Sequence, residues 1–233
     1  MNAGSRFQSV TTNNGSATLL RRLSWSILIL LALYFFFKYA MHYFVVNEQS
    51  YGPYWKHWGA LLLHITGGTL ALLLGPLQFW AGLRQRFTRF HRMTGRLYFT
   101  GIVLGSAGSF YLSTHSQVSQ AFGIALFSLT LVWLVSSAMA LLAILRRQVA
   151  THKEWVIRSY VLTFAFVTGR LLLDSPFLRG MSNPKDRLVT IIWLCWTIPL
   201  FITELILQWR RSANLSSSKG RELMPGNWDG SAA

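Results

Sequence analysis

The hydrophobic positions of the chain fall into six long runs that are separated by short polar connections. The runs cover residues 23–45, 59–82, 95–113, 121–145, 154–174 and 188–209. An α-helix of about 20 apolar residues is long enough to cross the hydrocarbon core of a bilayer. The pattern therefore predicts an all-α fold, an integral membrane bundle of six transmembrane helices.

Polar segments precede the first run and follow the last one. Residues 1–20 are rich in serine, threonine and asparagine, and residues 212–233 are rich in glycine and serine. Segments of this composition bury too little apolar surface to offset the entropy lost on ordering. We therefore predict a mobile N-terminus over residues 1–20, a transmembrane domain over residues 21–211 and a disordered cytoplasmic tail over residues 212–233.

The composition agrees with a membrane protein, because 52% of the residues are hydrophobic and only 12% are charged. The net charge of +15 does not indicate nucleic-acid binding, since the basic residues are distributed by connection. Sixteen of them lie at the chain ends and in the connections before the third and fifth runs, and four lie in the alternate connections. This positive-inside bias predicts that both termini are cytoplasmic. The single cysteine, Cys195, excludes an intramolecular disulfide.

Four histidines are candidate cofactor ligands. His91 and His152 precede the third and fifth runs on the predicted cytoplasmic side, and His64 and His115 belong near the outer side. Neutral imidazole is a common ligand of metals and of haem iron. One hypothesis is therefore an electron carrier that binds haem b and is linked to a quinol, with His91 and His152 as the metal ligands of the inner haem.

The same hypothesis assigns roles to the remaining basic residues of this side. Arg92, Arg96 and Arg158 would pair with the haem propionates, because guanidinium groups bind carboxylates in a bidentate manner. His64, together with His115, would serve a second haem near the outer surface. The carrier would exchange electrons with a membrane quinone pool.

The hypothesis that we prefer is binding or transport without catalysis, in which the cytoplasmic arginines and histidines bind an anionic lipid headgroup or a small anion. Ionisable side chains inside membrane runs are costly and are therefore functional candidates. In this chain they include Arg170, Asp174 and Glu204. Arg170 and Asp174 are spaced i, i+4 and can pair with each other, and their stripe would line a path.

Acid–base chemistry by His91 or His152 with Glu154 is a third hypothesis. The sequence Thr151-x-x-Glu154 predicts a capping box at the start of the fifth helix, which would already engage this carboxylate. An enzyme therefore ranks last, and no catalytic residue is assigned.

Small residues recur every four positions on two helices, which predicts close helix packing. They are Gly67, Ala71 and Gly75 on the second helix, and Gly101, Gly105 and Ser109 on the third. Such faces let backbones approach within a bilayer, either within the chain or between subunits of an oligomer. The alternative is that they leave room for a flat ligand such as a macrocycle. On the fifth helix, a stripe with Ser159 and Thr163 between His152 and Arg170 is expected to face the interior.

Two stretches of the chain carry a specific pattern, HITGGTLALLLGPLQFWAGLRQRFTRFHRMTGRLY from residue 64 and HKEWVIRSYVLTFAFVTGRLLL from residue 152. This pattern resembles the bacterial membrane family called domain of unknown function 2306. The matching positions are His64, Gly75, Gln78, Arg84, His91, Arg92, Gly95, Arg96, Tyr98, His152, Trp155, Arg158 and Arg170. The resemblance implies a multi-pass protein of the bacterial cytoplasmic membrane with no established activity, and it adds Tyr98 and Trp155 to the candidate site.

Overall fold

The structure is a computed structural model that describes residues 14–83 and 88–222. All regular elements within these residues are helical. The α-helices are α1 Asn14–Phe35, α2 Glu48–Tyr51, α3 Trp58–Leu83, α4 Thr88–Thr114, α5 Gln120–Leu145, α6 Val149–Thr163, α7 Ala165–Asp174 and α8 Pro184–Glu222. Tighter or wider helical turns lie between them, namely the π-helical turn Phe36–Ala40 and the 3-10 turns Met41–Phe44, Gly52–His57 and Pro176–Leu178.

Five helical segments are long and apolar enough to cross a membrane. They are Leu23–Phe44, Glu48–Trp80, Gln120–Leu145, Val149–Asp174 and Pro184–Ala213. α4 covers the third apolar run with a helix of similar length, but it is less apolar because glycine and serine occupy its packed face. The prediction of an all-helical membrane protein is confirmed, with five or six helices able to span a bilayer.

The predicted fifth helix differs from the structure at its start and in its middle. α6 begins at Val149, and Gln148 is its N-cap, so the predicted capping box of Thr151 and Glu154 is wrong. The reason is local, because the chain turns at Arg147 with a positive φ of 60° and the helix can start directly after that turn. The regular helix is then interrupted at Phe164, which separates α6 from α7.

The first and last helices extend beyond the bounds predicted for the transmembrane domain. α1 begins at Asn14, within the segment predicted to be mobile, and α8 continues to Glu222, within the segment predicted to be a disordered tail. The rest of those two predictions falls on residues 1–13 and 223–233, which lie outside the described residues. Arg84, one of the family positions, also lies outside them.

The tightest helix contact joins α3 to α4 through their glycine faces. A Cβ atom added to Gly67 would collide with the carbonyl oxygen of Gly101 and the amide nitrogen of Gly105. One added to Gly75 would collide with the ring of Tyr160 on α6. Protein atoms therefore fill the space over these glycines. The structure favours the packing interpretation at these positions over the macrocycle alternative.

A buried hydrogen-bond network ties α4, α5 and α6 together. The hydroxyl of Tyr98 lies 2.9 Å from that of Ser159 and 3.1 Å from that of Thr163. The indole nitrogen of Trp133 donates to Thr163 at 2.9 Å, and the hydroxyl of Ser137 lies 2.7 Å from that of Ser159. Ser159 and Thr163 are 1% and 6% exposed, which confirms that this part of the stripe faces the interior. Tyr98 holds helices together at this position.

Candidate functional site

We call the end of the bundle where α4 and α6 begin the basic end, and the opposite end the far end. The basic end carries an accumulation of cationic side chains, which are Arg89, Arg92, Arg96, Arg146, Arg147, Lys153, Arg158 and Arg211. The four helices α3, α4, α5 and α6 converge there. The sequence-predicted residues of the inner site all belong to this end.

His91 lies in the first turn of α4, ahead of the apolar run of that helix, and is half-buried. Gln78 of α3 anchors this turn, since its amide nitrogen donates to the His91 carbonyl at 3.0 Å and also to the hydroxyl of Thr94. Burial lowers the pKa of the His91 imidazole, and the proximity of His152 lowers this pKa further. The two predicted inner histidines therefore lie at the same end of the bundle, near enough for their charges to repel each other.

The hydrogen bond of His152 defines which of its ring nitrogens is protonated. Its Nδ1 lies 2.8 Å from the backbone carbonyl oxygen of Ala140 on α5. Because a carbonyl can only accept, Nδ1 carries the proton, and Nε2 keeps its lone pair when the ring is neutral. The Nδ1 atom of His91 is buried and has no hydrogen-bond partner. Both rings can therefore present a nitrogen lone pair to a proton, a donor or a metal.

Arg158 is not free to bind an anion, because Glu204 of α8 already neutralises it. The Arg158 Nε atom lies 2.5 Å from Glu204 Oε1, and a second nitrogen donates to Oε2 at 2.9 Å. The guanidinium also stacks over the Trp155 ring at 4.7 Å from its centroid. This bidentate pair connects α6 to α8, so the predicted role of Arg158 at haem propionates would require breaking it.

Glu154 is also neutralised at the basic end. Its carboxylate accepts hydrogen bonds from Arg211 of α8 and lies 3.7 Å from a nitrogen of Arg158. A carboxylate held in this way is a poor general base, which weakens the acid–base hypothesis.

Arg92 and Arg96 present a different electrostatic situation. Both are exposed, and neither takes part in an ion pair within the described residues. With Arg89 they follow the i, i+3, i+7 spacing of one helix face, and Met93, which is 57% exposed, lies on the same face. We call Arg89, Arg92 and Arg96 the arginine stripe. It is cationic, unneutralised and directed away from the core.

The outer histidines predicted as a second pair occupy different surroundings. His64 is buried on α3, where its Nδ1 donates to the Gly105 carbonyl at 2.9 Å and its ring packs against Phe166. His115 is exposed at the end of α4 and stacks on Tyr111, with ring centroids 4.2 Å apart. Its other ring neighbour is His57 at 5.1 Å. The contacts of His64 and His115 thus have no residue in common.

The predicted pair of Arg170 and Asp174 does not form, which corrects that expectation. Tyr39, in the π-helical turn that follows α1, donates its hydroxyl proton to Asp174 Oδ2 at 2.6 Å. Arg170 lies instead over the ring of Tyr39, 5.1 Å from its centroid. The residue that sequence reasoning missed is Tyr39, because an aromatic residue in an apolar run carries no sign of its distant partner.

The described residues contain no group of three or more histidine, cysteine, aspartate and glutamate side chains that could hold a metal ion. A metal at the basic end would therefore depend on His91 and His152 together with ligands from elsewhere.

Sequence reasoning gave no role to Gln78 and missed Thr94, which fix the His91 turn. A glutamine inside an apolar run was the signal that could have found this contact.

Comparison with known proteins relates the chain to one family. The pattern of a family described as a predicted membrane protein (DUF2306) matches residues 61–207, which is more than half of the 233 residues. The match extends from α3 into α8 and includes His64, His91, His152, Arg158 and Glu204. No curated protein and no solved structure matches the chain.

Proposed function

Because this chain belongs to the DUF2306 family of membrane proteins, we propose a function at the membrane surface, in which the arginine stripe binds an anionic lipid headgroup or a small anion. The observation that carries the proposal is the contrast between two sets of arginines at one end of the bundle. Arg158 and Arg211 are paired with carboxylates. Arg92 and Arg96 are exposed and unpaired within the described residues.

The chemistry of the stripe suits phosphate or carboxylate oxygens. Guanidinium groups donate two parallel hydrogen bonds to such anions, which adds geometric specificity to the charge attraction. A basic residue near an anionic membrane surface contributes about 1 kcal/mol to binding. The exposed side chains of Met93 and Leu97 adjoin Arg92 and Arg96, as expected where a helix meets the boundary between acyl chains and headgroups.

The predicted orientation adds support from the sequence. The positive-inside distribution predicts that the basic end faces the cytoplasm, where anionic lipids give the membrane surface a negative potential. His91 and His152 are half-buried at the same end of the bundle and would add hydrogen-bonding capacity to the site. We therefore favour binding over catalysis for this end of the protein.

The test compares two double variants by native mass spectrometry of the purified protein with phosphatidylglycerol. R92Q/R96Q is expected to lower the affinity for this lipid on the order of thirtyfold, from two charges at about 1 kcal/mol each. The matched control R146Q/R147Q removes the same charge from exposed arginines at the same end and should change occupancy little. Equal effects of the two variants, or none, would reject the stripe as the site.

Two further ligands show whether the bound anion is a lipid headgroup or a soluble ion. Phosphatidylcholine has a phosphate without net negative charge and should bind equally to all variants. Inorganic phosphate tests a soluble anion, and protection of the wild-type protein but not of R92Q/R96Q against thermal unfolding would indicate it. If phosphate has no effect while phosphatidylglycerol distinguishes the variants, the ligand is the lipid.

Haem ligation is the second candidate, and the inner histidines favour it. Nε2 of His152 is the nitrogen with the lone pair when the ring is neutral, and His91 at the same end has an unpartnered Nδ1. A backbone acceptor on the distal nitrogen is the usual arrangement for a metal-binding histidine. The test is the visible spectrum of protein from haem-supplied cells. A haem spectrum lost in H91A and H152A would support the candidate, and a colourless protein would end it.

A further inference from the structure

A cavity of about 210 Å³ lies in the half of the bundle towards the far end. It is partly open and lies between the segment that follows α1 and the inner helices α3, α5, α6 and α7. Its walls are mainly leucine, phenylalanine and tyrosine side chains, and the residues on which its chemistry depends are Tyr39, His64, Gly68, Phe166 and Arg170. It is separate from the arginine stripe and contains neither His91 nor His152.

The backbone of α1 departs from a regular helix where it borders this cavity. Residues Phe36–Ala40 form a π-helical turn, and Tyr39 and Ala40 of this turn line the cavity. π-Helical turns inside longer helices are rare and occur frequently at functional sites. Here the turn places the Tyr39 ring beneath the guanidinium of Arg170 and its hydroxyl on Asp174.

The cavity combines an apolar wall with an excess of positive charge. Arg170 is the formal cation among its described lining residues, which include no aspartate or glutamate. Outside the lining, Asp174 accepts the Tyr39 hydroxyl and keeps its negative charge, while Lys38 lies 5.1 Å from the centroid of the same tyrosine ring. Arg170, Lys38 and Asp174 together leave one net positive charge. A cation in apolar surroundings is costly without a counter-charge. A ligand with a negative head would supply that charge.

His64 is the second ionisable residue in the cavity wall. Its Nδ1–H is donated to the Gly105 carbonyl at 2.9 Å, so Nε2 is the ring nitrogen left without a proton in the neutral ring. The ring packs against Phe166, with centroids 5.1 Å apart, and Phe166 lies one helical turn before Arg170. The His64 ring and the Arg170 guanidinium therefore line the same cavity.

We infer that this cavity binds a lipophilic monoanion, a carboxylate on an apolar body, with the carboxylate at Arg170 and the body among the aromatic and leucine side chains. The volume of about 210 Å³ equals about seven water molecules at ~30 Å³ each. A body of this size is short, and a longer chain would leave between α1 and α3 into the lipid. The inference is independent of the function proposed for the basic end.

Two glycines of α3 provide a matched pair of variants for the test. A Cβ atom added to Gly68 or to Gly59 meets nothing within 4 Å, but Gly68 lines the cavity and Gly59 does not. G68L should therefore extend its side chain into the cavity, and G59L should place the same side chain outside it. Thermal unfolding and gel filtration of both proteins establish that they are folded.

The experiment measures radiolabelled decanoate bound to the protein in nanodiscs of phosphatidylcholine, with decanol as a neutral competitor of equal chain length. Saturable binding is expected for the wild-type protein and for G59L, with a loss of tenfold or more in G68L. R170Q should lose about tenfold in decanoate affinity, as expected for a hydrogen bond to a charged group, while competition by decanol is unchanged.

Three outcomes would overturn the inference. They are the absence of saturable decanoate binding to the wild-type protein, equal binding by G68L and G59L, and equal decanoate affinity of R170Q and the wild-type protein. A loss of phosphatidylglycerol binding in R92Q/R96Q has no bearing on these results. The two sites therefore succeed or fail separately.

Discussion

The neighbouring residues Gly67 and Gly68 lie on two sides of α3 that differ in packing. On the Gly67 side, α4 approaches so closely that a single added carbon would meet backbone atoms of Gly101 and Gly105. On the Gly68 side, the same carbon would enter open space that belongs to the cavity beside α1. At two consecutive residues, α3 therefore has a closed side, at Gly67, and an open side, at Gly68.

The difference shows that glycine serves two purposes in this bundle. On the closed side it allows the backbones of α3 and α4 to touch, which is how helices gain packing energy in a bilayer, where lipid offers no hydrophobic drive. On the open side it preserves volume that a side chain would occupy. The closed side accounts for stability, and the open side is available for a ligand.

The largest effect is expected from G67A, which would break the closed side. The added methyl group meets backbone atoms, which cannot rotate away as a side chain can, so α3 and α4 must separate. We expect destabilisation by about 3 kcal/mol or more, seen as a lower melting temperature and a lower yield of monodisperse protein. Wild-type stability of G67A would contradict the contact between α3 and α4.

A smaller loss of stability is expected from Y160A, which would remove the ring that covers Gly75. The Tyr160 ring lies on Gly75 and packs against Phe79 with centroids 5.5 Å apart, so its removal leaves a void beside α3. We expect a loss of about 3 kcal/mol, the lower end of the range for removal of a large buried ring. Thermal unfolding measures it.

The matched control for that variant is Y160F, which keeps the ring. It removes only the 3.3 Å hydrogen bond from the hydroxyl to the Leu72 carbonyl. A loss below about 1 kcal/mol is expected for one such bond. If Y160F were as unstable as Y160A, the hydroxyl rather than the ring on Gly75 would be responsible.

The smallest effect is expected from G68A on the open side. The methyl group meets no atom, and alanine favours a helix over glycine by up to about 1 kcal/mol. The melting temperature should therefore stay the same or rise slightly, opposite in sign to that of G67A. A drop comparable to that of G67A would show that the open side is closed by packing or by lipid.

Local sequence properties predicted much of the fold. The apolar runs located the membrane helices, the glycine spacing located the close faces of α3 and α4, and the burial of Ser159 and Thr163 followed from helical period. Pairings between distant helices were not predictable, since Arg158 with Glu204 and Tyr39 with Asp174 join residues 46 and 135 positions apart. The candidate site changed accordingly. Arg158 is paired with Glu204 and no longer belongs to it, whereas Arg92 and Arg96 are exposed and remain in it.

The sequence by itself determined the membrane class, the helical fold and the residues that can carry charge or accept a proton, because hydropathy and helical period are local properties of the chain. Tertiary structure alone decided which arginines are neutralised, which histidines meet and which glycine faces a void. Each of these depends on the direction in which every helix turns its faces, and that direction is set by the packing of all the helices at once.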